Sequence, residues 1–98
     1  MKVSFLEPAE KELQEAIDYY QEQRQGLGDE FLVEILLTLD HIEMHPQAWP
    51  QLSKRTRRCR TRRFPYGVVY RLQDDGILVV AVSHLHRKPL YWLNRLTD

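Results

Sequence analysis

The chain's 98 residues, 43% hydrophobic and 29% charged, suffice for one compact domain over residues 1–98 and are too few for two. The formal net charge is zero, yet residues 1–45 carry eleven of the 14 acids and three of the 14 bases, so a half near −8 precedes a half near +8. The apolar run Ile77 to Val82 is far too short to span a bilayer, the N-terminus lacks the apolar stretch of a signal peptide, and lone Cys59 cannot form an internal disulfide; the expected address is the cytoplasm, with no membrane partner.

Residues 2–6 alternate polar and apolar side chains and predict a strand, after which Glu7-Pro8 opens a helix with proline in its first turn. Leu13, Ala16, Ile17 and Tyr20 recur at helical spacing, and Glu10, Glu12, Glu15 and Asp18 fall on the other sides. This helix should end near Arg24. Gly26 and Gly28 break the pattern, and Asp29 is the expected N-cap of a second helix carrying Phe31, Leu32, Ile35, Leu36, Leu39 and Ile42. His45-Pro46 stops it, because the residue before proline is pushed out of helical geometry, and a loop follows to Ser53.

Beyond Ser53 the pattern turns to strands: a basic strand running to Phe64, then Tyr66 to Leu72, then Ile77 to Leu85. Asp75-Gly76 between the last two is a hairpin signal, so the three strands predict an antiparallel meander. Val79 to Val82 are apolar on both faces, which makes the last strand central, with the opening strand joining the same sheet. The expected class is α+β, in the order β-α-α-β-β-β, with a helical hairpin packed on one face of a mainly antiparallel sheet. A helical turn is expected around Tyr91 to Leu96.

Residues 54–63 hold seven bases in ten positions. On a strand, Arg58, Arg60 and Arg62 share one face, and Arg57, Cys59, Thr61 and Arg63 share the other. Small Cys59 and Thr61 should face the core, leaving Arg58, Arg60 and Arg62 as an exposed stripe. Arginine pairs bidentately with phosphate or carboxylate, so the stripe suits a nucleic acid or an acidic partner better than mere edge protection, which needs fewer charges. His84, His86 and Arg87 form a second cluster near Tyr91, where acid-base chemistry competes with a structural role. The structural role is preferred, since no carboxylate stands at an obvious spacing to orient either ring. His41 and His45 have metal-binding spacing without an evident third ligand, so no metal and no cofactor are expected. Cys59 reads as a small core filler.

These pieces together resemble the RelE/ParE toxin superfamily, and its ParE-like branch in particular. The resemblance rests on the Pro8-led helix, the Ile42-Glu43-Met44-His45-Pro46 helix end, the Arg-rich strand running into Phe64-Pro65-Tyr66, the Val69-Tyr70-Arg71 strand and the final Val82-Ser83-His84-Leu85-His86-Arg87. It implies the toxin of a type II toxin-antitoxin pair, neutralised by a cognate antitoxin. In the ParE manner the target is DNA gyrase; in the RelE manner it is messenger RNA on the ribosome, cleaved with Arg63, Arg87, Tyr91 and His84 or His86 as the candidate groups. Arginine stays charged and exchanges protons poorly, so clamping a target through Arg57, Arg58, Arg60, Arg62, Arg63 and Arg87 is favoured over enzyme activity. A small nucleic-acid-binding module without toxin activity is the third reading.

Overall fold

The computed structural model describes residues 2–96. Strand β1 (Lys2–Phe5) leads into helix α1 (Glu7–Gln23) and helix α2 (Leu27–Met44), and then come β2 (Arg57–Arg60), β3 (Tyr66–Gln73), β4 (Gly76–His84) and a 3-10 turn at Leu93–Arg95. The sheet order is β1-β4-β3-β2, so β4 is central as its two-sided apolar pattern requires. β1 runs parallel to β4, and β2, β3 and β4 form the antiparallel meander. No helix among the described residues is long and apolar enough to cross a membrane.

The hairpin α1–α2 lies on one sheet face, where Ala9, Ala16, Phe31, Ile35 and Ile42 meet Cys59, Val68, Tyr70, Ile77, Val79 and Val82. On the opposite face Val69, Val80 and Ala81 are covered by Trp92. The C-terminal segment thus replaces a second helical layer. It reaches this position through Leu90, whose backbone enters the left-handed region at φ 60°, a conformation that costs about 1–2 kcal/mol for a non-glycine residue and so needs firm anchors beyond it.

Three expectations fail locally. α2 begins at Leu27, and its N-cap is Gly26 at φ 90° rather than Asp29; glycine reaches that angle without a Cβ clash, and Gln21 Oε1 accepts from the backbone N–H groups of Gly26 and Gly28 at 3.1 and 3.2 Å. A side chain of the preceding helix therefore replaces the cap that Asp29 was expected to supply. Leu36 faces outward, 53% exposed, beside exposed Val33 and Leu37: α2 is apolar around more of its circumference than one core can cover. The basic strand stops at Arg60 instead of reaching Phe64. Thr61 turns the chain by donating its hydroxyl to the Phe64 carbonyl at 2.7 Å, and Glu34 accepts from the Arg62 backbone N–H at 2.9 Å.

Tyr70 ties the loop after α2 to the sheet. Its ring is fully buried, its hydroxyl donates to the Pro46 carbonyl at 2.7 Å, and burial pushes its pKa up to about 12. Tyr70→Phe leaves that carbonyl without its donor and should lower Tm by about 4–8 °C, the equivalent of about 1 kcal/mol in a domain of this size. An unchanged melt of Tyr70→Phe would remove this bond from the account of the loop.

Candidate functional site

Strand geometry places Cys59 on the hairpin side, 3% exposed, and turns Arg58 and Arg60 to the other face, opposite Val69 and Gly67. Burial pushes the Cys59 thiol up to about 11, which makes it the inert filler expected of it. Arg58 lays its stem over Gly67: a Cβ at Gly67 would lie 2.8 and 2.9 Å from Arg58 Cδ and Cγ. Desolvation, with the charge of Arg60, lowers the Arg58 pKa. Two like charges are thus held side by side, and among the described residues neither Arg58 nor Arg60 is paired with a carboxylate. Arg62, beyond the end of the strand, is exposed in the turn and is not part of this row.

The remaining predicted arginines are engaged within the fold. Arg57 donates to the carbonyls of Gln47 and Trp49 at 3.0 and 2.8 Å, and so holds the loop after α2. Arg63 pairs with Glu30 of α2 at 2.9 Å and lies over the Phe64 ring at 5.2 Å. Arg87 stands over the Tyr91 ring at 3.9 Å, with Glu12 at 3.5 Å. The stripe of bases in the sequence is therefore sorted by the fold into structural arginines and a short outward-facing row.

Glu12 is the group that sequence reasoning missed. It was expected on the polar side of α1, but it lies three residues after Ala9 and four before Ala16, both buried, so the helical period turns it inward. Its Oε1 accepts from the Val82 backbone N–H at 3.0 Å and from Arg95 Nη1 at 2.9 Å. Its Oε2 accepts from the Tyr91 hydroxyl at 2.6 Å and from Arg95 Nη2 at 2.9 Å. Burial raises the carboxyl's pKa, but hydrogen bonds from Arg95, Tyr91 and Val82 outweigh it and hold Glu12 below its ordinary value. Tyr91 is raised by the same burial and by its bond to Glu12.

Around this carboxylate lies an open cleft of about 210 Å³ lined by Glu15, Tyr19, Tyr66, His84 and Arg87 as well as Glu12. His84 packs edge-on against Tyr66, and its Nδ1 accepts from the His86 backbone N–H at 3.1 Å. The structure therefore brings His84, His86, Arg87 and Tyr91 together and leaves Arg63 in its separate pair with Glu30. Glu12 touches Arg87 and Tyr91, not the imidazoles. That arrangement anchors the C-terminal segment, and among the described residues it supplies no carboxylate-oriented histidine. Among the described residues no three His, Cys, Asp or Glu side chains gather as a metal site.

Comparison with known proteins gives two findings. The model of the family described as the ParE toxin of type II toxin-antitoxin system, parDE, matches residues 3–89. A solved chain of a chromosomal ParDE TA system from P. aeruginosa superposes with a TM-score of 0.71 at 15% identity, over 88% of this chain and 97% of that one; at that identity the likeness is one of fold. No curated protein sequence gives a significant match.

Folding lowers the Glu12 pKa, so near pH 4 the folded chain binds fewer protons there than the unfolded one. The contribution is whole above the ordinary value of 4.5 and fades as pH falls through the lower folded value. Glu12→Gln should lower stability at pH 7 by about 2–3 kcal/mol, since it strands Arg95 without its partner. The gap to the parent should close as melts are taken below pH 4. A gap that stays constant from pH 7 to pH 3 would show that shape rather than charge accounts for it.

Proposed function

The chain belongs to the ParE toxin family of type II toxin-antitoxin systems, and from that premise we propose that it stops growth by binding DNA gyrase, in the cytoplasm, until a cognate antitoxin covers it. The observation that carries this reading is that, among the described residues, the outward row of Arg58 and Arg60 has no carboxylate partner and the histidine cluster no orienting carboxylate. The row is suited to clamping. General acid-base groups typically contribute about 10² to 10⁴-fold each, and arginine, charged throughout the working range, is a poor substitute for them.

Two surfaces support the antitoxin part of the proposal. Exposed Val33, Leu36, Leu37 and Met44 on α2 offer apolar area, and the arginine row offers charge to an acidic segment. Such a complex should form more slowly as salt rises, because screening weakens the steering of opposite charges. Equal association rates of purified toxin and antitoxin at 50 and 500 mM salt would sink the electrostatic half of this reading.

The target is tested with antitoxin-free protein in two assays, gyrase supercoiling of plasmid DNA and cleavage of messenger RNA on translating ribosomes. Inhibited supercoiling with intact messenger RNA is expected. Ribosome-dependent cleavage with unimpaired supercoiling would overturn the choice of gyrase and turn attention to the cleft at His84, Arg87 and Tyr91, with His86 and Arg63 as outer candidates.

A further inference from the structure

We propose that Arg58 and Arg60 form a binding site for consecutive phosphates of a nucleic-acid strand, so that the protein grips nucleic acid directly as well as any protein target. The choice of DNA as the source of those phosphates rests on the gyrase reading; the site itself does not. Of the seven bases that crowd residues 54–63, Lys54 and Arg55 precede β2 and Arg62 follows it in the turn, Arg57 is bound to the carbonyls of Gln47 and Trp49 and Arg63 to Glu30. Arg58 and Arg60 remain on one strand face. Residues two apart on a strand stand roughly 6–7 Å from one another, a spacing of the order of that between neighbouring phosphates along one strand.

The site is built rather than incidental. The stem of Arg58 is laid across Gly67, where even a methyl group would collide with it, and this contact fixes where the guanidinium emerges. Its charge is partly desolvated beside that of Arg60, an arrangement that an isolated protein gains nothing from and that an anion relieves. A separate open groove of about 460 Å³ along the uncovered end of β3 is lined by Gln51, Lys54, Arg57, Tyr70 and Asp74, and neither Arg58 nor Arg60 reaches it. Most of the exposed acids are elsewhere, Glu10, Glu15, Asp18 and Asp29 among them on the helical hairpin behind the sheet; Asp74 and Asp75 stand in the turn between β3 and β4, and Asp74 lines the groove.

An acidic peptide is the competing occupant, and the surroundings favour phosphate over it. A segment that orders on binding needs apolar area to offset its lost entropy. The exposed apolar side chains of this protein lie mainly on the helices, at Tyr19, Val33, Leu36, Leu37 and Met44, with Leu90 and Leu93 on the C-terminal segment; none is on β2. An evenly charged, already extended backbone of phosphates asks only for the arginines. The antitoxin's acidic residues would meet the same two side chains, which makes nucleic acid and antitoxin mutually exclusive there.

The test is fluorescence anisotropy with the antitoxin-free protein and three labelled probes, a 20-base-pair DNA duplex, a single-stranded RNA of equal length and a poly-glutamate peptide. The duplex should bind, and affinity should fall roughly tenfold or more between 50 and 200 mM salt, as about two phosphate contacts require. The double variant Arg58→Gln, Arg60→Gln keeps part of each stem. It should weaken duplex binding at least tenfold and lower the salt slope by about 2, with an unchanged melt, while Arg24→Gln on the acidic side should bind as the parent does. Double-variant binding equal to the parent's, no duplex binding at 50 mM salt, or poly-glutamate bound as tightly as DNA would each overturn the proposal. Preference for the RNA would keep the phosphate site and overturn DNA as its source. Supercoiling measured on the same samples separates the two ideas: duplex binding without gyrase inhibition would leave this site standing and remove the target.

Discussion

The carboxylate of Glu12 is the point on which the two ends of the chain and the centre of the sheet depend. β1 spans four residues and β4 nine, so the pairing of the two ends at Phe5 and Val79 and the far half of β4 has no strand on that side. An irregularity in the β3–β4 register, where Tyr70 faces Val79 and Val69 faces Ala81, also leaves Val80 without a partner. Unpaired backbone groups in such a place cost about 1–3 kcal/mol each. Here Arg95 donates to the Val80 carbonyl at 3.0 Å and Glu12 accepts from Val82 N–H. An ion pair performs the work of the missing strand.

That solution has consequences at a distance. The same carboxylate holds Tyr91 and Arg95 and so fixes the C-terminal segment, which puts Trp92 over Val69, Val80 and Ala81. Without that cover the second face of the sheet would be an exposed apolar patch. With it, the segment sits over β4 and β3, while β2, one strand further out, carries Arg58 and Arg60. The zero net charge of the chain therefore resolves into a molecule with an acidic helical side and a basic strand edge, the arrangement that steers partners of opposite charge to different faces.

Much of this was legible in the sequence. Element order, the joining of β1 to the sheet and the central place of β4 follow from apolar periodicity, Pro8, and the Asp75-Gly76 turn; that β1 runs parallel to β4 does not. The start of α2 is not legible locally, because its cap comes from Gln21 on the other helix, a contact that no window around Asp29 contains. The end of β2 is hidden in the run of arginines, which gives no sign of the turn that Thr61 makes. The role of Glu12 was available in principle, through its spacing from Ala9 and Ala16, but an acid among acids on a helix reads as solvated until its partner is known. That partner, Arg95, is 83 residues away.

The division of labour among the arginines follows from the same tertiary logic. A guanidinium is weakly hydrated and presents a planar fork, so it serves equally to tie down carbonyls, to stack on a ring or to receive an anion. Arg57, Arg63 and Arg87 meet a loop, a helix carboxylate and an aromatic ring because each lies within reach of an element folded against the hairpin side or the C-terminal segment. Arg58 and Arg60 point from the sheet face beyond both. Placing charge there without a counter-charge is unfavourable for the isolated fold, since like charges repel and burial of the Arg58 stem removes part of its water. The fold tolerates this because the stem gains apolar contact with the sheet at Gly67. An arginine positioned by its aliphatic part, with its charged end left unsatisfied, loses little conformational freedom when an anion arrives, and that preorganisation favours binding over the free state.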